Sequence, residues 1–526
     1  MLAFVVFLNG MAVMVLEMAG ARLLAPELGT SIIVWTSLIG VILASLSAGY
    51  WLGGRLADRI LLADSGKDKE RKHAWSVLSR LLVAASATAF MAAALGVYVP
   101  GLARSMFSTL HMGTVFAALA LFALPALLCG MVSPYAVRLA ITSSETSGAI
   151  IGRLNAIGTV GSIVGTFLGG FVLLAWFSTN TIILGVAVCL LAASALVSLR
   201  PLSSKIMLGV LLVAGIAGNI MYDDWVAQTG FNEHNMPITI DTSYSSMRVA
   251  KGREGQRELL YLMTDPGSAQ SGMYVDDPLE LVFSYTKFYA LGTALNTQAK
   301  RVLMLGGGGY SVPKWLLGGR SDLTADFTLD VVELDPGMTR VAEEYFKAPL
   351  SDSRMRVFHE DARTFVNRAA SEAPAGSAGP YDLIFADIFN SWYTVPFHVG
   401  TAEAARNIHA LLADDGIYVM NVITAVTGDN GRLLRSIRNA FLESFAQVHV
   451  FPVQQKFNGS IVQNVMLLAF KTPRELPDPA KEHVPPHLAR LLSNRWTSPL
   501  PSAEEDVPAL RDSFAPVERY TLGYMR

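Results

Sequence analysis

The chain has 526 residues, of which 52% are hydrophobic and 16% charged, and a formal net charge of −2. So long a chain exceeds one ordinary domain, and so small a charge argues against a nucleic-acid binder, which needs a basic face. The two cysteines, Cys129 and Cys189, both lie in apolar segments, which argues against a disulfide framework and against a cysteine metal site.

Residues 1–222 are mostly apolar, whereas residues 223–526 carry most of the charge. A bilayer core is crossed by about 20 apolar residues in helical form. Seven segments qualify: 3–24, 31–54, 75–98, 114–137, 151–176, 179–199 and 205–222. The first has no basic flank before it and is followed by six more, so it does not read as a cleaved signal peptide. Gly161, Gly165 and Gly169 recur at four-residue spacing, which suits close helix packing. Glu17 inside the first segment is costly in lipid, and Arg22 is its expected partner. Arg55, Arg59, Lys67, Lys69, Arg71 and Lys72 concentrate after the second segment and place the amino terminus in the cytoplasm. Seven spans would then put the rest of the chain outside. Supply of a cytosolic substrate argues for the inside.

The expected domains are a membrane domain at 1–222, a linker and small β-region at 223–297, a catalytic domain at 298–471 and a loosely packed Pro- and charge-rich extension at 472–526. The small β-region holds strands at 237–241, 246–251 and 258–264, and residues 278–296 read as one helix. A strand at 300–305 then runs into Gly306, Gly307, Gly308 and Gly309, and a helix opens at Ser311. Further strands end at Glu333, near Asp361 and at Asp387, with helices between them, and an antiparallel pair at 448–452 and 464–470 closes the run. Such alternation implies a Rossmann-like, doubly wound α/β sheet, whose ligands bind beyond the carboxyl ends of its strands.

The glycines let a ligand approach the backbone, and an acid such as Glu333 about 25 residues on can accept both hydroxyls of a ribose. That pattern fits NAD and S-adenosylmethionine alike. The dinucleotide fingerprint wants a glycine where Ser311 stands, and Tyr310 would crowd a pyrophosphate. Acids at three successive strand ends point instead to an adenosyl-sulfonium ligand, with Asp361 at the adenine and Asp387 at the transferred carbon. Asp361 also reads as a helix N-cap. Trp392 and Tyr393 follow Asp387 and read as pocket or core residues, and His398 reads as structural.

Several stretches resemble the spermidine synthase family of polyamine aminopropyltransferases, in the form with a multi-span membrane domain ahead of the enzyme. They are Leu16–Pro26, Gly53–Arg59, Arg301–Gly308, Val332–Asp335, His359–Ala362, Tyr381–Asp387 and Phe514–Glu518. The resemblance implies an S-adenosylmethionine-type methyltransferase fold. It also implies binding of the donor by Gly306, Gly308, Glu333, Asp361 and Ala362, and proton removal from the attacking amine by Asp387. The substrate positions it implies are Tyr244, Tyr285 and Asn390. The donor expected is decarboxylated S-adenosylmethionine or S-adenosylmethionine itself, with no metal.

The departures from that family fall on its amine-binding acids. Gly309 stands where an aspartate is usual, Asn390 replaces a second aspartate, Ser245 follows Tyr244 in place of a glutamine, and Thr286-Lys287 follow Tyr285 in place of His-Glu. The expected function is aminopropyl transfer to an amine. The alternatives are methyl transfer to a membrane-associated acceptor, and a nucleoside-binding transporter or sensor without catalysis. The expected partners are the lipid bilayer and a small amine or membrane-associated acceptor, with no nucleic acid; a homo-oligomer is allowed. The expected location is the cell membrane, with the carboxyl-terminal domain in the cytoplasm.

Overall fold

Long apolar helices occupy the first part of the chain and an α/β sheet the rest, in a computed structural model. It describes residues 1–29, 32–62, 68–96, 98–107, 109–141, 147–198, 202–229, 238–242, 244–264, 269–324, 326–372, 379–388, 397–454, 459–479, 484–501, 505–521 and 524. Two units result. One comprises Met1–His234 and Ile238–Ser246, the other Asn235–Pro237 and Met247–Arg526.

The first unit contains α1 (Leu2–Leu28), α2 (Ile32–Leu62), α3 (Asp68–Leu95), α4 (Val99–Met106), α5 (Leu110–Ala140), α6 (Ser147–Leu173), α7 (Thr179–Val197) and α8 (Leu202–Thr229). Among the described residues, six of these (α1, α2, α3, α5, α6 and α7) are long and apolar enough to cross a membrane. The seventh expected span falls in α8, whose apolar stretch among the described residues is Lys205–Gly218. The helix also continues to Thr229, through residues expected to form a polar link.

Glycines bring helix backbones into contact in two places. A Cβ on Gly161 of α6 would lie 2.1 Å from the Phe7 carbonyl of α1, and one on Gly49 of α2 would lie 2.2 Å from the Leu127 carbonyl of α5. Both approaches exclude any larger residue. Lys205 is buried, and its Nζ donates to Ser79 Oγ (2.7 Å) and to the carbonyls of Ser194 (2.9 Å) and Ser198. Arg22 donates to the carbonyls of Leu174 (2.7 Å) and Ser245 (3.3 Å). The expected Glu17–Arg22 pair is therefore replaced by backbone partners for the arginine. The short strand β1 (Ile238–Asp241) also belongs to this unit.

In the second unit β2 (Ser246–Glu254), β3 (Arg257–Met263) and β4 (Ser271–Tyr274) pair antiparallel in chain order. The sequence reading missed β4, which is fully buried and has no alternation to mark it. The long helix expected over 278–296 is a series of turns, a 3₁₀ turn at Thr286–Tyr289 and a short α9 (Ala290–Leu295). Local side chains divert the backbone there. Asp277 Oδ1 accepts from the Leu279 N–H, and Thr286 Oγ1 donates to the Phe283 carbonyl.

The main sheet contains β5 (Arg301–Leu305), β6 (Thr328–Val332), β7 (Met355–Phe358), β8 (Tyr381–Ala386), β9 (Leu412–Thr424), β10 (Gln447–Pro452) and β11 (Gln463–Phe470). Its order is β10-β11-β9-β8-β5-β6-β7. β5 pairs parallel with both β6 and β8, and β11 runs antiparallel between β9 and β10. Between the strands run α10 (Ser311–Leu317), α11 (Pro336–Phe346), α12 (Ala362–Glu372), α13 (Ala402–Leu411) and α14 (Arg432–Leu442). From β5 the chain winds outward through β6 to β7, then returns to the other side of β5 for β8. The β5–β8 boundary is therefore the topological switch point, where open α/β sheets bind ligands. Asp330 inside β6 is buried and carries its charge in a closed network: Arg356 donates to both carboxylate oxygens at 2.8 Å, and the Tyr381 hydroxyl donates at 2.8 Å.

The tail does not behave as a loose extension. After α15 (Pro486–Leu492), Trp496 N–H donates to the Val450 carbonyl of β10. Arg435 pairs with Asp506, Asn439 donates to the Val507 carbonyl, and Arg363 and Thr401 both donate to Asp512. Val507, Leu510 and Val517 join the core ahead of and within α16 (Val517–Thr521). Proline and charge there serve to terminate turns and pair with helices, not to keep the segment in solvent. Leu510 is 1% exposed, so Leu510→Ala should destabilise the fold by about 2–5 kcal/mol. Chemical denaturation of the purified protein measures this, and an unchanged midpoint would restore the loose-tail reading.

Candidate active site

A cavity of about 330 Å³ opens at the carboxyl ends of β5 and β8. Gly306, Gly307 and Gly308 form its floor, Tyr285 and Ser284 one wall, Gln270 and Ser271 another, and Asp387 with Asn421 and Asn464 its back.

The glycine turn is shaped by backbone constraint. Gly306 has φ +90 and Gly308 φ +50, values that L side chains rarely adopt. A Cβ on Gly306 would also sit 2.2 Å from the Asp387 carbonyl oxygen. Behind the turn stands Glu333. Its Oε2 accepts from the N–H groups of Gly307 (2.9 Å) and Gly308 (3.1 Å), and its Oε1 from Asp335 (3.0 Å). Burial pushes the Glu333 carboxyl above its ordinary value, against the pull of those three N–H groups. The acid thus holds the turn in shape from behind and does not line the cavity.

Asp387 is the reactive-looking group. It follows β8 directly, and its N–H donates to the Leu305 carbonyl at 2.8 Å, which fixes it beside the glycine turn. The Tyr285 hydroxyl donates to Oδ2 at 2.9 Å and Asn421 Nδ2 donates to Oδ1 at 3.0 Å. Asn464 Nδ2 in turn donates to Asn421 Oδ1 at 3.0 Å. This chain of amides sets the plane of the carboxylate. Burial raises the Asp387 carboxyl from its ordinary value by more than the Asn421 and Tyr285 hydrogen bonds lower it. Burial first, then the neighbouring Asp387 charge, keeps the Tyr285 phenol protonated far above its usual range. A partly buried carboxylate with a raised pKa at a switch point is suited to accept a proton.

Not every expected site residue gathers here. Gly306, Gly308, Tyr285 and Asp387 line the cavity. Asp361 caps α12, accepting from the Thr364 N–H at 2.9 Å, and lies 3.6 Å from His398 Nε2. Ala362 is the first residue of that helix. Both stand at the end of β7, the sheet edge two strands from β5, and neither lines the cavity. Tyr244 is 55% exposed, lies in the first unit and is not part of this lining. Asn390, with Trp392 and Tyr393, lies outside the described residues. Lys287 is exposed and does not line the cavity either.

Several polar lining residues escaped the sequence reading, among them Gln270, Ser271, Asn421 and Asn464. Asn421 had a readable signal, a polar residue within an apolar strand, and it is 2% exposed. Ser271 explains Gly309. The Gly309 N–H donates to Ser271 Oγ at 2.9 Å, and a Cβ on Gly309 would fall 2.7 Å from the Ser271 Cβ. β4 therefore fills the space an acidic side chain would need at that position.

No family model matches the chain. Among curated proteins it is 28% identical over 186 residues to the polyamine aminopropyltransferase of Vibrio vulnificus (strain CMCP6), covering 35% of this chain and 57% of that protein. It is 29% identical over 173 residues to the N-terminal histidine N-methyltransferase of Emericella nidulans, covering 32% of this chain and 29% of that protein. The chain thus spans about half the length of the first relative and less than a third of the second. Among solved structures, a probable spermidine synthase from Corynebacterium glutamicum ATCC 13032 superposes with TM-score 0.41 and 19% identity over 53% of this chain and 97% of that one. The sequence similarity makes the carboxyl-terminal part of this chain, the part that carries the glycine turn and the switch-point aspartate, similar to polyamine aminopropyltransferases.

Proposed function

We propose that the chain is a membrane-bound transferase that uses an adenosyl-sulfonium donor and moves an aminopropyl group to an amine acceptor. One observation carries the reading: a partly buried carboxylate, Asp387, faces the cavity beside a glycine turn, oriented by Tyr285 and Asn421. A neutral amine attacks the carbon next to the sulfonium. The C–N bond forms as the C–S bond breaks, and the electron pair of that bond leaves sulfur as a neutral thioether. The proton released from nitrogen passes to Asp387. Orientation within the cavity and this proton transfer supply the catalysis.

A second reading, methyl transfer from S-adenosylmethionine, is favoured by a different observation. Asp387 is the only carboxylate among the described residues lining the cavity, so the far ammonium of a diamine finds no counter-charge there. Calorimetry decides between them. Tighter binding of decarboxylated S-adenosylmethionine, with a transferred aminopropyl product, supports the first; preference for S-adenosylmethionine overturns it in favour of methyl transfer.

The six spans found among the described residues support a cytoplasmic second unit. An even number returns the chain to the side on which it began, and the basic residues around Arg55 and Arg59 put that side inside. A reporter fused to the carboxyl terminus tests this.

The pH dependence follows from Asp387. A base must be ionised, and burial raises the pH at which Asp387 loses its charge. The acidic limb of kcat/KM should therefore lie above that of an exposed aspartate. Tyr285→Phe removes a hydrogen bond that favours the charged form, so its limb should move to still higher pH. A limb that moves down, or not at all, contradicts the assignment of Asp387 as the base.

A further inference from the structure

A second cavity, of about 780 Å³, lies within the first unit between α1, α2, α5 and α6. Two helix pairs frame it. The glycine contacts described above close α1 onto α6 and α2 onto α5, whereas α2 and α6 share no extended contact and stand apart across a cleft. The antiparallel helix directions grade the lining from end to end. Asp58 of α2, Arg138 of α5 and Asn155 of α6 occupy the end nearest the α2–α3 and α5–α6 connections, where Arg138 Nε donates to Asp58 Oδ1 at 3.0 Å. Both charged side chains are partly exposed. Toward the other end the walls become Val13 and Met14 of α1 and Leu46 of α2. The Asn9 amide and the hydroxyls of Ser133, Thr159 and Ser162 also line it. Polar and charged groups on membrane-spanning helices are costly and mark function by default.

We propose that this cavity binds a zwitterionic phospholipid from the leaflet on the Asp58–Arg138 side. The phosphate lies beside Arg138, the ammonium beside Asp58, and one acyl chain follows the apolar wall inward. Three observations select this occupant: one charge of each sign at the mouth, an interior that is mostly apolar and holds no further charge among the described residues, and a cleft between α2 and α6 through which a chain can enter from the side. A freely soluble diamine fits less well, because the deep walls offer it no carboxylate. The site rests on the membrane-spanning reading above.

The test uses the full chain, purified in detergent and stripped of lipid. Short-chain phosphatidylethanolamine, phosphatidylglycerol and putrescine are added separately, and thermal unfolding is followed. Phosphatidylethanolamine should raise the Tm at concentrations at least tenfold below those of phosphatidylglycerol, and putrescine should not raise it. Gly54→Leu should abolish the lipid effect without lowering the Tm of stripped protein: Gly54 lines the cavity, and a Cβ there meets nothing within 4 Å. Asp58→Asn should remove the preference for the ethanolamine headgroup. Equal stabilisation by both lipids, an unchanged lipid effect in Gly54→Leu, or stabilisation by putrescine instead would each overturn the proposal. Membranes washed with alkaline carbonate supply the control. Release of the chain would overturn the membrane reading and this site together, whereas retention with no lipid-selective shift overturns this site alone.

Discussion

Asp387→Asn should lower kcat by about 10²- to 10⁴-fold, the range for removal of a general base, and should leave the affinity for the adenosyl donor within a few-fold. The substitution keeps the size and nearly the shape of the side chain. The Tyr285 hydroxyl can rotate to accept from the new amide nitrogen, while the retained oxygen still faces Asn421 Nδ2. The local fold should therefore survive, and the lost quantity is proton acceptance. Rapid-quench turnover measured beside equilibrium titration of the donor separates the two effects. The same pair of measurements tests the non-catalytic alternative, a sensor that binds a nucleoside without chemistry. A sensor would retain full function in Asp387→Asn and lose it in Glu333→Ala, because Glu333 holds the glycine turn through Gly307 and Gly308.

The residues that frame this site were unequally legible in the sequence. The strand–glycine–helix run and Asp387 could be read directly, because a buried parallel strand is a continuous apolar run and the residue at its end is bound to face the ligand edge. Asp361 shows where such reading stops. Its place after a strand suggested a ligand contact, and its place before a helix suggested a cap. The cap is what the geometry displays, through the Thr364 N–H, and the cavity at the β5–β8 boundary does not include Asp361. Ser271 was harder still. It comes from a small sheet some forty residues earlier in the chain, and no local pattern announces that it will fill the space beside Gly309. The helix bundle was legible as apolar length, because each span is a long apolar run. Asn421 lies between these cases. A buried amide in a strand has to find a partner, yet that the partner is Asp387 follows only from the parallel register that sets β8 against β9.

Gly306→Ala should be the most damaging conservative change in the second unit, and its effect divides into two measurable parts. The first is conformational, since φ +90 is strained for alanine and costs about 1–3 kcal/mol. The second is steric. The added Cβ would lie 2.2 Å from the Asp387 carbonyl, so the ends of β5 and β8 must part. Forced overpacking of this kind adds about 1–3 kcal/mol, for roughly 2–6 kcal/mol in all. The displacement falls on two hydrogen bonds that close the sheet at the site, Asp387 N–H to the Leu305 carbonyl and Gly306 N–H to the Val332 carbonyl. Donor binding and catalysis should thus be lost together with stability. Gly319→Ala isolates the first part. Gly319 also has positive φ, +70, but a Cβ there meets nothing within 4 Å. It should lose only the conformational cost and bind the donor as the unmodified chain does. Denaturation midpoints and donor titrations on the two variants make the comparison. Equal losses of stability, with donor binding intact in Gly306→Ala, would show that the glycine turn is not held against Asp387 and that the switch-point cavity is not where the donor sits.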